Sequence, residues 1–197
     1  MPYLYDIYRY VKANMKLSFL FLLIIFGPLV SKARRVKNTS YITSTGEKVL
    51  RFDVIVPVDR ANAWQYFTTD EKLKQWIAPL VHIDLRTGGS IVTNYNPKGT
   101  LNDSTVIRLG IINYLENEML TLKVKLNHTF PTSTCTEDQN LQEVIQLTEI
   151  DKTHTKVSSS MVGWGQGADW DTTYKFFEKG NECTAKEIAE IFYKGVK

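Results

Sequence analysis

The side chains able to do chemistry are few in this sequence and widely spaced. Three histidines, His82, His128 and His154, fall on three separate segments. No pair has the short spacing that lets two imidazoles on one helix hold a metal. Cys135 and Cys183 stand far apart, in neither a C-x-x-C pair nor a zinc-ligand pattern. No G-x-S-x-G elbow and no phosphate-binding loop occurs. The run Gly163-Trp164-Gly165-Gln166-Gly167 has the glycines of such a loop but lacks its lysine, and reads as a turn feeding the next helix. Asp84 and Arg86, two residues apart, share one strand face. They lie opposite Val81, Ile83 and Leu85, which makes them a solvent-side ion pair worth at most about 1 kcal/mol. No catalytic residue, metal set or cofactor motif is therefore expected.

The aromatic residues remain. Trp164, Trp170, Tyr174 and Phe177 cluster near the C-terminal third, and Trp64 and Trp76 flank a short charged link. Such rings line ligand cavities together with a few polar groups. They also fill cores, because each buries a large area. Both uses stay open. Trp64, early on a short helix, reads as a core anchor. Trp76, close to Pro79, is better placed at a cavity rim. Ser159 shares a strand face with Val157 and Met161 and supplies an inward polar group. The candidate ligand-binding set is Trp76, Ser159, Met161, Trp164, Trp170, Tyr174 and Phe177.

The elements that must position these residues follow from periodicity. Residues 47–58 alternate, with Phe52, Val54, Val56 and Val58 on one side, and predict a half-buried strand. Asp59 and Asp70 are placed to cap two short helices, the second running past Trp76 to Pro79. Strands are expected at 81–85, 90–96, 105–115, 119–126, 142–149 and 155–162, linked by turns at Gly88-Gly89, Pro97-Lys98-Gly99, Glu116-Asn117-Glu118 and Asp151-Lys152. Residues 127–140 read as a polar loop. Ala168–Tyr193 reads as one amphipathic helix, with Trp170, Tyr174, Phe177, Asn181, Thr184, Ile188 and Ile191 on its stripe. Gly180 within it would permit a close contact with the sheet. Direct succession of strands means antiparallel pairing. About seven strands with one apolar face need a cover, which the long helix provides. The fold class is α+β, a curved antiparallel sheet gripping a helix.

Charge separates the chain into two parts. The 197 residues carry a formal charge of +3. Residues 1–33 hold Arg9, Lys12, Lys16 and Lys32 against Asp6, and the remaining 20 basic and 20 acidic residues cancel. Residues 34–197 thus carry no electrostatic footprint for nucleic acid. Lys16 precedes the apolar run Leu17–Phe26, and Ser31-Lys32-Ala33 follows Gly27-Pro28. A basic start, a short apolar core and a small-x-small end suggest a signal peptide. An N-terminal membrane anchor through residues 17–30 is the alternative, favoured by Arg34-Arg35 just beyond. The expected organisation is signal or anchor at 1–33, linker at 34–45 and a single domain at 46–197. Met1 and Met15 are both usable starts. An exported (periplasmic or extracellular) or membrane-anchored location follows, in which Cys135 and Cys183 either pair or stay free.

The order of elements, with "AWQYFTTDEKLKQWIAP", "IDLRTGG", "RLGIINYLENEMLTL" and "TKVSSSMVGWGQGADWDTTYKFFEKG", resembles the Hsp90-ATPase-activator-like (AHSA1-type) branch of the START/Bet v 1-like, or SRPBCC, superfamily. The resemblance covers residues 47 to about 193. It implies a helix-grip fold with a cavity between sheet and long helix, and binding of a hydrophobic small molecule or a protein partner. The stretch between Ala33 and the first strand is too short for the extra domain through which the co-chaperone docks on Hsp90, so stimulation of Hsp90 is not implied. The leading expectation is non-catalytic binding of a small hydrophobic ligand in a closed cavity of roughly 300 Å³ or more. A protein-partner binding module and a cavity-based enzyme of cyclase or hydrolase type are the alternatives.

Overall fold

The computed structural model describes residues 36–137 and 140–193. The expected signal or anchor segment and its apolar run lie outside them. No helix among the described residues is long and apolar enough to cross a membrane.

Nine strands form one antiparallel sheet. They are β1 (Val36–Asn38), β2 (Tyr41–Ile42), β3 (Lys48–Val56), β4 (Leu80–Ile83), β5 (Ser90–Asn94), β6 (Ile107–Leu115), β7 (Met119–Lys123), β8 (Gln142–Asp151) and β9 (His154–Val162). The spatial order is β1-β3-β9-β8-β7-β6-β5-β4, with β2 also on β3. Among the described residues four helices accompany them: α1 (Arg60–Thr68), α2 (Asp70–Leu73), α3 (Thr132–Glu137) and α4 (Ala168–Tyr193). Register shifts between Ile111 and Asn113 and between Glu149 and Asp151 interrupt β6 and β8. Such bulges bend strands and help curve the sheet.

The seven expected strands are present, and β1 and β2 are additional. They arise in the stretch expected as a linker. Val36 pairs with Val54 and Tyr41 with Val49, so backbone pairing on the β3 edge, rather than apolar alternation, organises this polar segment. The loop before β8 also holds the short helix α3.

Alternation behaves as expected in β3. Leu50, Phe52, Val54 and Val56 are buried between it and the helix layer. Fully burying a side chain of this size contributes about 1.5–3 kcal/mol. Asp59 caps α1, its carboxylate accepting from the Asn62 backbone N–H at 2.9 Å. The second cap differs from expectation. Thr69, not Asp70, caps α2, its hydroxyl accepting from the Lys72 N–H. Asp70 instead accepts from the Ile83 N–H at 2.8 Å and pairs with His82 Nδ1 at 2.9 Å. It thereby ties α2 to β4. The helix also stops early, at Leu73, so Trp76 lies in the turns that follow.

The 26 residues of α4 span about 39 Å at helical rise. The helix runs along β3 and β1 and touches α3. Its buried face comprises Trp170, Thr173, Ala185, Ile188, Ala189 and Phe192. Tyr174, Phe177, Asn181 and Thr184 flank that face half-buried. Gly180 makes no close approach; a side chain there would meet open space. The turn before α4 does need its glycines. Gly163 has φ +83°, and a Cβ on Gly165 would run into the Trp170 indole.

Candidate functional site

A cavity of about 170 Å³ lies between the sheet and the C-terminal half of α4. The sheet floor comes from alternate residues of six strands. Phe52 of β3 stands opposite Ser159 of β9, and Ser159 opposite Ile145 of β8. Glu143 of β8 stands opposite Met161 of β9 and Leu122 of β7. Ile91 and Leu109 continue the floor on β5 and β6. The roof is Asn181, Thr184, Ala185 and Ile188 of α4, all at helical spacing on one face. Phe67, Leu73 and Trp76 close the side.

The volume is below the expected 300 Å³, and the cavity is not sealed from its surroundings. Trp76, Ile77 and Tyr95 also border a wider outer groove of about 500 Å³, whose remaining wall includes Lys74, Pro79, Glu187 and Glu190. Trp76 is fixed at this boundary. Its indole N–H donates to the Tyr66 carbonyl at 2.9 Å, and its ring meets Phe67 edge-on at 5.5 Å. The residues after Leu73 and the residue after β5 therefore form the rim, and α4 its far lip.

Inside, the chemistry is concentrated in one carboxyl. Glu143 and Tyr95 are the ionisable groups lining the cavity among the described residues. The Ser159 hydroxyl donates to Glu143 Oε1 at 2.7 Å. Burial pushes the Glu143 carboxyl above its ordinary range, and the Ser159 hydrogen bond offsets only part of that. Glu143 is half-buried, and it lines the cavity. Tyr95 is 61% exposed along the groove, yet removal of its phenol from water, then the charges of Glu187 and Glu143, push it up. Arg, Lys and His are missing from the cavity wall among the described residues.

The structure separates the sequence-expected site residues into two groups. Trp76 and Ser159 line the cavity. Met161 is buried beside Glu143 without reaching the lining. Trp164, Trp170, Tyr174 and Phe177 stand away from it, toward the start of α4. Trp164 packs edge-on against Tyr174 at 4.9 Å and Phe177 at 5.9 Å, and Phe130 stacks on Phe177 at 5.6 Å. Trp170 is buried and donates its indole N–H to Glu137 at 2.8 Å. These rings fill space rather than bound it. Glu143 escaped the sequence reading, although it shares a strand face with Ile145 and Leu147.

No group of three or more His, Cys, Asp or Glu side chains converges among the described residues. Cys135 and Cys183 are separate free thiols. Asp84 and Arg86 form the expected surface pair at 2.8 Å.

Residues 57–193 match the family model described as Activator of Hsp90 ATPase homolog 1-like protein. No curated protein matches the chain. Among solved structures, the Aha1 dimer from Colwellia psychrerythraea matches with TM-score 0.57 at 13% identity, over 76% of this chain and 98% of that one. Protein MLL2253 from Mesorhizobium loti matches with TM-score 0.58 at 13% identity, over 76% and 99%. CalU16 from Micromonospora echinospora matches with TM-score 0.54 at 11% identity, over 80% and 74%. At such identities the likeness speaks for the helix-grip fold and not for a shared ligand.

Proposed function

The chain belongs to the Activator of Hsp90 ATPase homolog 1-like family, and on that premise we propose that it binds a small, mainly apolar molecule without transforming it. The observation that carries this reading is the cavity under α4. It is walled by Phe52, Ile91, Leu122 and Ile188, and it shares a rim with an outer groove. A preformed apolar recess with a few converging polar groups is the usual form of a ligand site. Its size sets the scale of the guest, since an apolar cavity of about 150 Å³ accepts benzene. Trp76 and Tyr95 form the doorway, and Glu143 with Ser159 is the polar anchor.

A second reading, a cavity-based enzyme, draws on Glu143 alone. A buried carboxyl with a raised pKa is a candidate general acid or base. Among the described residues the cavity wall offers no second acid–base group besides Tyr95. Its hydroxyl partner is engaged as a donor. Binding is the simpler use. A protein partner is the third reading, in keeping with a family whose members bind small molecules or other proteins.

Residues 17–30 carry the pattern of an export signal or tether. We place the domain outside the cytosol or on a membrane, to be checked by N-terminal sequencing of the native protein. Native mass spectrometry of the full-length protein, purified without denaturation, tests the binding reading. A bound metabolite that leaves on mild activation is expected. Protein at its bare mass that also takes up no benzene-sized probe would overturn it.

A further inference from the structure

Resting on the proposed ligand-binding reading, the geometry points to a ligand class: a small ring-bearing amine, whose protonated nitrogen pairs with Glu143 while its ring fills the apolar remainder of the cavity.

The carboxyl is placed for such a partner. Glu143 sits between Leu122 and Met161, and Ser159 is its hydrogen-bond partner among the described residues. A carboxylate offers about four acceptor sites, so most of its capacity remains open. The cavity wall supplies no Lys, Arg or His to fill it. An ionised carboxylate held there without a cation is costly. A guest ammonium group would satisfy both its charge and its free acceptor sites. The raised carboxyl fits this view, since burial disfavours its charged form and a cation in the cavity would counter that effect.

The surroundings have the same sign. Phe52, Phe67, Trp76 and Tyr95 line the cavity, and aromatic faces attract cations. The outer groove that Tyr95 borders carries Glu187 and Lys74, and of these it is the Glu187 charge that acts on the Tyr95 phenol. With Glu143 ionised, its charge and that of Glu187 both act on the Tyr95 phenol, so a negative field then spans doorway and anchor. Such a field concentrates cations at the mouth and repels anions. A free carboxylic acid of the same size would meet it unfavourably at each step.

Three probes with one ring separate the possibilities: benzylamine, benzyl alcohol and benzoate, titrated calorimetrically into the full-length protein at neutral pH. We expect benzylamine to bind at least about tenfold more tightly than benzyl alcohol, a difference of about 1.4 kcal/mol, with benzoate weakest. Glu143→Gln should abolish the preference for the amine over the alcohol, and Glu143→Asp should retain part of it. Equal binding of amine and alcohol, or an amine preference unchanged in Glu143→Gln, would overturn the amine assignment and leave the apolar-ligand reading standing. Binding of none of the three would overturn both. Should Glu143→Gln fail to fold, the ranking of the three probes on the wild-type protein decides alone.

Discussion

The two halves of α4 meet the rest of the domain differently. The first half is packed by rings: Trp170 lies against Gly165 and bonds to Glu137, and Phe130, Trp164, Tyr174 and Phe177 interlock beside it. The second half faces the sheet with Asn181, Thr184, Ala185 and Ile188, and the space beneath stays open. Both halves are helical and continuous. The difference is the size of the facing side chains. Large rings close the gap between helix and sheet, and short ones leave a recess that a guest can occupy. One helix thus both secures the fold and roofs the site.

The largest effect should come from breaking the packed half. Trp170→Ala removes a buried indole and leaves the Glu137 carboxylate without its donor. Denaturant unfolding should show a loss of about 3–5 kcal/mol, the usual range for a buried aromatic. A loss below about 1 kcal/mol would mean that this end is not the anchor. Filling the open half should act in the opposite sense. Thr184→Leu adds carbon into the cavity, so stability should change by less than about 1.5 kcal/mol. Binding of a benzene-sized probe should fall at least about tenfold, read by calorimetry. Equal losses of stability at both positions would erase the contrast.

A smaller effect concerns charge within the open half. The Glu143 carboxyl is raised by burial, so the folded state holds its proton more tightly than the unfolded chain. Stability from this group is present at low pH and is lost as pH rises from the ordinary carboxylate range through the raised folded value. Thermal melts of the wild-type protein should therefore decline over that window. Glu143→Gln should lack that part of the decline and melt higher at neutral pH. Parallel profiles would contradict the burial of the carboxyl.

The smallest effect lies at the other end of the same strand. Asp151 is exposed, and its carboxylate accepts from the Thr153 N–H and hydroxyl and from His154. These bonds hold its pKa at about 2. Its contribution to stability is present above the ordinary aspartate range and fades as pH falls through about 2. Carbon-detected NMR titration should show Glu143 and Asp151 displaced in opposite directions. Displacement the same way would show that burial does not distinguish the two ends of β8.

This contrast also marks what could be read from the sequence. Alternation in 47–58, the hairpin turns and the long amphipathic helix lead to an antiparallel sheet covered by a long helix, because each is a local pattern; the helix-grip fold follows from the resemblance. The β1 and β2 pairings were hidden. Val36-Lys37-Asn38 has no alternation of its own, and the β3 edge that organises it is distant in sequence. For Trp164, Trp170, Tyr174 and Phe177 the sequence leaves core packing and cavity lining both open, and the structure packs these rings around the start of α4, away from the cavity. Ring size pointed to a site, but it is the small residues Thr184 and Ala185 that leave one. The Glu143 signal was present in the alternation: Glu143, Ile145 and Leu147 share a face, and a carboxylate in line with two core residues is an anomaly worth following.

The central claim is that a small ring-bearing molecule enters beneath the second half of α4. Methyl NMR of the full-length protein titrated with benzyl alcohol tests it most directly. The account predicts saturable shifts at Ile91, Leu122 and Ile188, with little change at Leu141, which lies outside the cavity lining. No shift at those three methyls, or shifts confined to the aromatic cluster around Phe130 and Phe177, would contradict it.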